Sequence, residues 1–200
     1  MPDRKGEIQV LFNGFHTDFW VPAPEKKLSD CILSVAYIDN QRNYCMKGVD
    51  DYINAARSMP ELTFKLIGVG QGKLEKWEKA LPENLQVSGS VSKDELLMEY
   101  QKAGVFCLLS LSEGMPNVLC EAMLCGCVPV VSDVNFNARL VGESGFVILE
   151  KNPSLIQKAI NSAVRSNKEK GKLAREIILE NYSFNRREEG LVKVIRDLSG

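Results

Sequence analysis

The amino-acid sequence predicts an α/β protein built on a doubly wound, mostly parallel sheet with helices on both faces and a helical C-terminal tail. From Cys31 onward, short apolar runs alternate with segments of helical period. Each helical segment lies between two strand-like runs, which requires parallel pairing and right-handed crossovers. Beyond Asn152 the pattern is helical to the end of the chain.

The elements follow from the hydrophobic period along the chain. Runs of four to eight apolar, often β-branched residues predict buried parallel strands, and longer amphipathic segments between them predict helices. The predicted strands are 31–38, 62–67, 85–88, 105–109, 128–131 and 145–149. The predicted helices are 47–58, 73–80, 93–103, 116–125, 152–166, 168–181 and 184–198.

The residues before Cys31 differ from this pattern. Residues 7–12 could form one short strand, because the Asn-Gly pair at 13–14 is a strong turn signal. Residues 15–27 carry two prolines and have neither a helical nor a strand period. We predict that this segment is a linker in which the aromatic side chains of Phe19 and Trp20 are exposed.

Composition limits the classes of function. With 44% hydrophobic residues, 26% charged residues and a net charge of −1, the chain is an ordinary globular protein without the basic surplus that nucleic acids or anionic membranes require. Six cysteines without a C-x-x-C pair, and a single histidine, favour reduced, buried thiols over disulfides or zinc. No apolar run is long enough for a membrane helix, and the start has no signal-peptide core. We therefore expect a cytoplasmic protein with a small-molecule partner.

The central stretch is 108–131. An apolar strand runs into Glu113-Gly-Met-Pro-Asn, a short helix begins near Pro116, Gly126 suits the position just past its end, and a second apolar run follows. Loops at the carboxyl ends of parallel strands bind ligands, and a helix N-terminus offers free N–H groups to anions. The candidate anion cradle consists of Gly114, Met115, Pro116, Asn117 and Val118.

Two carboxylates flank this cradle. Glu113 precedes the helix and is expected on the strand-end loop facing the cleft, whereas Glu121 lies in the second helical turn. The two acids could act as a hydrolase pair, or they could accept hydrogen bonds from sugar hydroxyls. In the simplest reading Glu113 stabilises the helix N-terminus and Glu121 is a surface residue.

Two weaker motifs face the same edge of the sheet. Gly68-Val69-Gly70 follows a strand and could approach a ligand closely, although a plain tight turn explains it equally well. Lys47 with the following glycine opens the first helix after a loop at 39–43, so its ammonium group either contacts a phosphate or is solvated.

Residues 113–131 resemble the E-x7-E signature of retaining, nucleotide-sugar-dependent glycosyltransferases of the GT-B fold, family 4 type, also called glycosyl transferases group 1. The resemblance spans about residues 7–198 and implies a Rossmann-like fold. Other segments are similar to further features of this family. Residues 13–22 are similar to its interdomain hinge and 47–50 to its Lys-Gly helix start. Residues 67–70 are similar to its Gly-x-Gly turn and 87–92 to its Gly-x-Val loop, which runs past the nucleotide base.

The resemblance implies residue roles. Lys47, together with Arg42, would neutralise the donor diphosphate without a metal ion or other cofactor. The usual Gly-Arg after the first strand is replaced here by Ala36-Tyr37 and a longer loop. The amides of 114–118 would hold the phosphates and donor sugar. Further donor-binding residues implied by the resemblance are Gly68, Gly70 and Val91.

The two acids receive different roles from the same resemblance. Glu121 would accept the ribose hydroxyls. Glu113 would be the catalytic residue that contacts the transferred sugar and stabilises positive charge developing at its anomeric carbon.

The resemblance also implies the domain organisation. Residues 1–28 would be the end of an absent N-terminal domain plus the hinge, 29–182 the nucleotide-sugar-binding domain, and 183–200 a C-terminal helix. The chain would be the donor-binding half of an enzyme of polysaccharide biosynthesis that transfers a hexosyl unit from a UDP- or GDP-sugar to a glycan or lipid-linked acceptor. It would need an N-terminal acceptor domain, in cis or in trans, to turn over, and the full enzyme could sit at the inner face of the membrane. A non-catalytic sugar-nucleotide or partner-binding module, or an epimerase of the same fold, are the alternatives.

Overall fold

The computed structural model describes residues 10–70 and 81–199. Its strands form one parallel six-stranded sheet in the order β3-β2-β1-β4-β5-β6. The order reverses between β1 and β4, and such a switch point leaves a crevice at the carboxyl ends of the strands. The strands are β1 Leu28–Ile38, β2 Thr63–Val69, β3 Leu85–Ser88, β4 Ala103–Leu108, β5 Val128–Ser132 and β6 Phe146–Ile148.

Helices cover both faces of the sheet, which confirms the predicted fold class. One hydrophobic cluster joins the sheet to α2 and α6, and the other joins it to α3, α4 and α7. In the described ranges the helices are α1 Gln41–Met46, α2 Val49–Ser58, α3 Lys93–Lys102, α4 Asn117–Leu124, α5 Asn137–Val141, α6 Pro153–Arg165, α7 Asn167–Asn181 and α8 Phe184–Ser199. The three C-terminal helices were predicted to within two residues at each end.

The N-terminal segment differs from its prediction. Residues 10–12 are not a strand, and residues 7–9 of the predicted strand lie outside the described residues. Trp20, predicted to be exposed, is buried, and its ring meets the ring of Tyr100 edge-on at 5.6 Å between centroids. The backbone N–H of Phe15 donates to the carbonyl of Tyr182 at 2.9 Å. The predicted linker is therefore packed onto the domain, because its aromatic side chains extend the core beside α3.

The predicted helix 47–58 corresponds to α2, and a further helix, α1, occupies the segment around 39–43 that was predicted as a loop. Asn40 caps α1 through its side chain, and Gly48 then adopts a left-handed conformation with φ 65° before α2 begins. A Cβ at Gly48 would lie 2.0 Å from the carbonyl oxygen of Leu109. The helical period alone could not show that the chain must turn here to pass the end of β4. The predicted helix 73–80 lies outside the described residues.

Several local features were anticipated and others were not. Pro116 caps α4 rather than beginning it, and Gly126, with φ 77°, follows its end as predicted. Helix α5 was not predicted, because five residues are too few to establish a period. All six cysteines are free, but Cys45 is exposed, contrary to the expectation of buried thiols. Within the described ranges no helix is both long and apolar enough to cross a bilayer.

Candidate functional site

The candidate site lies at the carboxyl ends of the central strands, where the loop after β4 passes between α1 and the loop after β5. The backbone N–H of Leu111 donates to the carbonyl of Met46 at 2.8 Å. The backbone N–H of Glu113 donates to Oδ1 of Asn135 at 3.4 Å. These two contacts hold the loop from both sides and fix the position of Glu113.

Lys47 and Glu113 form an ion pair across this edge. Nζ of Lys47 donates to Oε1 of Glu113 at 2.7 Å, and the two side chains are 30% and 11% exposed. Partial burial strengthens their attraction relative to a solvated pair. The sequence placed both residues at one edge of the sheet, and the structure brings them into direct contact.

The N-terminus of α4 opens beside this pair. Gly114 is exposed, and a Cβ added there would meet no other atom within 4 Å. The first N–H groups of a helix, here those of Asn117 and Val118, have no acceptor within the helix. Nδ2 of Asn13 donates to Oδ1 of Asn117 at 2.9 Å, which links the segment before Phe15 to the start of α4. The arrangement leaves open space in front of N–H donors.

Glu121 lies one turn further along α4 and is half-buried, so the surface reading is wrong. The buried hydroxyl of Tyr100 donates to Oε2 of Glu121 at 3.3 Å. Burial raises the pKa of Glu121 to about 7, although the Tyr100 hydrogen bond and the charge of Lys93 each act to lower it. The carboxyl group thus changes charge close to neutral pH.

The remaining predicted residues lie around this centre. Arg42 is exposed on α1, the helix whose end is capped by Lys47. Gly68 lies inside β2 with φ 104°, and a Cβ there would be 2.3 Å from the carbonyl oxygen of Ala36, so strand packing already requires a glycine. The N–H of Gly70 donates to the carbonyl of Ile38 at 2.9 Å. Val91 is half-buried and packs against the core beside α3 and α4. Gly68 therefore belongs to the sheet, although the sequence predicted that it lies in a loop after the strand.

Pro116 is buried where it caps α4, and the side chain of Met115 is half-buried against the same core. The loop thus rests on two apolar side chains.

Some residues at the site were not identified from the sequence. A groove of about 550 Å³ is lined by Asn13, Asn135 and Phe136 together with Glu113 and its neighbours. Asn135 follows the carboxyl end of β5, so its position after a predicted strand was an available signal. Tyr100 gave no such signal, because a tyrosine within a helical pattern is typical of an ordinary core residue.

Lys151 was missed for a similar reason. Its Nζ donates to the carbonyl of Leu109 and to Oδ2 of Asp51, the latter at 3.0 Å. Lys151 therefore links the end of β4 to α2, beside the loop that follows β4. Lys151 follows β6 in the chain, and only the order of the strands in the sheet shows that this position lies near the end of β4.

The chemistry available at this edge is that of binding a polyhydroxylated anion. Lys47 supplies a cation, the α4 N-terminus supplies N–H donors, and the carboxyl groups of Glu113 and Glu121 accept hydrogen bonds from hydroxyls. Across the ranges that the structure covers, no group of three or more His, Cys, Asp or Glu side chains is arranged to hold a metal ion.

Comparison with known proteins identifies the family. Residues 32–180 match the family model of glycosyl transferases group 1, and the chain belongs to this family. The resemblance seen in the sequence is thereby confirmed. Among curated proteins, a GDP-mannose:cellobiosyl-diphosphopolyprenol alpha-mannosyltransferase from Xanthomonas oryzae pv. oryzae is 38% identical over 68 residues, which are 34% of this chain and 18% of that enzyme.

Solved structures share the fold over nearly the whole chain. The sucrose-phosphate synthase of Thermosynechococcus elongatus matches with a TM-score of 0.80 and 18% identity, covering 98% of this chain and 53% of the other. HepE of Anabaena, solved with UDP-glucose, matches with a TM-score of 0.77 and 15% identity, covering 94% and 57% respectively. The chain thus spans about half the length of these two structures and a smaller share of the mannosyltransferase.

Proposed function

We propose that this chain is the nucleotide-sugar-binding half of a retaining glycosyltransferase, which transfers a hexosyl unit from a UDP- or GDP-sugar to a glycan or lipid-linked acceptor in polysaccharide biosynthesis. The observation that carries the proposal is the contact of Lys47 Nζ with Glu113 at 2.7 Å. It joins a cation and an acid beside the free N-terminus of α4, with Glu121 in the same helix.

The donor diphosphate would lie between Lys47 and the amides of residues 114–118. During transfer the bond between the anomeric carbon and the diphosphate oxygen breaks, and its electron pair stays on the leaving group. Lys47, the α4 N-terminus and the exposed Arg42 stabilise this charge, so the reaction needs no metal ion. The acceptor hydroxyl then forms the new bond to the anomeric carbon on the face that the diphosphate left, and its proton passes to a phosphate oxygen of the departing diphosphate.

Glu113 would be the residue closest to the transferred sugar. The anomeric carbon gains positive charge as the diphosphate departs, and an ionised carboxylate nearby stabilises it. In the free protein Lys47 neutralises this carboxylate. When the diphosphate becomes a second partner for Lys47, the Glu113 carboxylate is left to interact with the sugar.

Glu121 would accept hydrogen bonds from the ribose hydroxyls. It lies on α4 beyond the proposed phosphate cradle, and the groups around it favour its ionised form against the effect of burial. The relatives support this class of donor, because the Xanthomonas enzyme is named for GDP-mannose and HepE was solved with UDP-glucose. We therefore propose UDP or GDP as the nucleotide portion.

The acceptor would be bound by an N-terminal domain, in cis or in trans. The matched structures are almost twice as long as this chain, which leaves room for such a domain. Helix α8 carries exposed apolar side chains, with Leu191 at 47% and Val192 at 39% exposure, and Leu11 lies against the neighbouring Gly190. We propose that this face packs against the N-terminal domain, that the chain alone does not turn over, and that the complete enzyme acts in the cytoplasm at the inner face of the membrane.

Calorimetric titration with UDP and GDP tests the proposal. We expect the wild type to bind one of the two, Glu121→Ala to weaken that binding, and Glu113→Ala to leave it nearly unchanged. Transfer, measured after the N-terminal half is restored, should be lost in Glu113→Ala. Glu61→Ala, which removes an exposed acid from the turn before β2, is the control. No binding of either nucleotide by the wild type, or the reverse behaviour of the two variants, would contradict the proposal.

A further inference from the structure

Tyr100 is a fully buried residue whose hydroxyl contacts the candidate site. It lies near the end of α3, and its ring is fixed between Trp20 and Phe106, with centroid distances of 5.6 Å and 5.9 Å. From this position Oη donates to Oε2 of Glu121 at 3.3 Å. A ring held on two sides cannot follow Glu121 if that side chain rotates, so the hydrogen bond restrains the carboxyl group.

Lys93 lies at the other end of α3 and is the cation whose charge acts on Glu121. Its Nζ is 4.1 Å from the ring centroid of Phe19 and 5.5 Å from that of Trp20. Attraction to these aromatic faces holds the ammonium group near the site despite the exposure of the side chain. Helix α3 therefore presents both a hydrogen-bond donor and a positive charge to one carboxyl group.

Other titratable groups near Glu121 do not compete with these two. Cys120 precedes it on α4 and Cys125 follows the end of that helix, and burial raises the pKa of both thiols well above neutral pH. They are therefore uncharged when Glu121 ionises. Among the described residues whose interactions with Glu121 are resolved, Tyr100 and Lys93 are the ones that favour its ionised form.

We infer that Tyr100 is a positioning residue of the donor site, which holds Oε2 of Glu121 and leaves Oε1 to the ribose hydroxyls. This inference rests on the proposed function for its link to the nucleotide. The contact between Tyr100 and Glu121 is independent of it. Removing the Tyr100 hydroxyl therefore has one effect on the free protein and a second on ligand binding.

The effect on the free protein is a change in the ionisation of Glu121. In Tyr100→Phe the carboxylate loses a donor, so the pKa of Glu121 should rise above the wild-type value of about 7. Lys93→Met should shift it in the same direction. NMR titration of the Glu121 side-chain carboxyl carbon measures this directly. A Glu121 titration curve in Tyr100→Phe that overlays the wild type would overturn the inference.

Tyr52→Phe is the matched control. Tyr52 is also buried, and its hydroxyl contacts the carbonyl oxygens of Ile32 and Lys65 in the other hydrophobic cluster, at 2.8 Å and 2.9 Å. The variant loses a buried hydroxyl and some stability but should leave the Glu121 titration unchanged. Lys102→Met, at the far end of α3, plays the same part for Lys93.

The effect on ligand binding is measured with UDP and GDP. At neutral pH, Tyr100→Phe should bind the preferred nucleotide about three- to tenfold more weakly than the wild type, and the difference should shrink in alkaline buffer, where Glu121 is ionised in both. Tyr52→Phe should bind like the wild type. Equal binding by wild type and Tyr100→Phe at every pH would overturn the positioning role. If the wild type binds neither nucleotide, the proposed function fails, and a shifted Glu121 titration still supports the contact.

Discussion

Replacing Glu121 by glutamine should make the protein more stable at alkaline pH. Burial raises the pKa of Glu121 from 4.5 to about 7 in the folded chain. Since the folded value lies above the unfolded one, the stability associated with the protonated carboxyl group is fully present below pH 4.5 and is lost as the pH rises through about 7. Glutamine has a similar shape and can still accept the Tyr100 hydrogen bond, but it carries no charge to desolvate.

The size of the effect follows from this pKa. Each unit of difference between the folded and unfolded pKa corresponds to about 1.4 kcal/mol. Ionising Glu121 would therefore cost about 3 kcal/mol of stability if the carboxyl group were fully buried. Glu121 is only half-buried. Screening by solvent reduces the expected cost to about 1–2 kcal/mol. For a chain of this length each kcal/mol changes the melting temperature by roughly 2–4 °C.

Urea denaturation of the wild type and Glu121→Gln in acidic and alkaline buffers measures this. At about pH 8.5 the variant should be more stable by about 1–2 kcal/mol, and at about pH 5 the gain should fall to roughly a quarter of that. Glu61→Gln, with its exposed side chain, should differ little from the wild type in either buffer. A loss of stability in Glu121→Gln that is equal at both pH values would refute the reasoning.

Three further predictions follow from the structure. Gly114→Ala should change the free energy of unfolding by less than about 0.5 kcal/mol yet weaken UDP or GDP binding. Gly68→Ala should destabilise the protein by more than about 1 kcal/mol, because only this methyl group meets backbone atoms, at Ala36. Thermal unfolding measures the stability of the two variants, and calorimetry measures their nucleotide binding. Lys47→Met should weaken UDP binding more than uridine binding by calorimetry, because the proposed site places the phosphates of UDP, which uridine lacks, beside this cation. Leu191→Glu should keep the fold but weaken association with the separately produced N-terminal half in analytical ultracentrifugation.

Each of these predictions has a result that opposes it. Equal loss of stability in the two glycine variants would mean that the space at Gly114 is not open. An equal loss of UDP and uridine affinity in Lys47→Met would mean that Lys47 does not contact the phosphates. Unchanged association of Leu191→Glu, with Lys193→Glu as the matched surface control on α8, would mean that the domain interface lies elsewhere.

Most of the sheet could be predicted from the sequence because its strands are buried on both faces. The run from Val128 to Val131 is apolar throughout, and Gly126 follows the end of the helix before it, so both boundaries are locally encoded. The central loop was located for the same reason. It lies between such a strand and a proline-capped helix, and that combination has few alternative structures.

What could not be predicted depends on contacts between distant segments. Trp20 is buried because Tyr100 lies beside it, 80 positions later, and no period in residues 15–27 reports this. Helix α1 was not predicted, and Gly48 separates it from α2 because the chain must pass the carbonyl of Leu109. The charge state of Glu121 likewise depends on burial by the assembled fold, which the spacing of the two acids does not contain.

The most direct test of the proposed donor-binding site is a crystal structure of the chain grown with UDP or GDP. We expect the diphosphate between Lys47 and the N-terminus of α4, and the ribose hydroxyls at Glu121. In that complex the 2.7 Å contact of Lys47 with Glu113 should be shared with a phosphate oxygen. A nucleotide bound away from this edge, or one whose ribose does not contact Glu121, would contradict the proposed site.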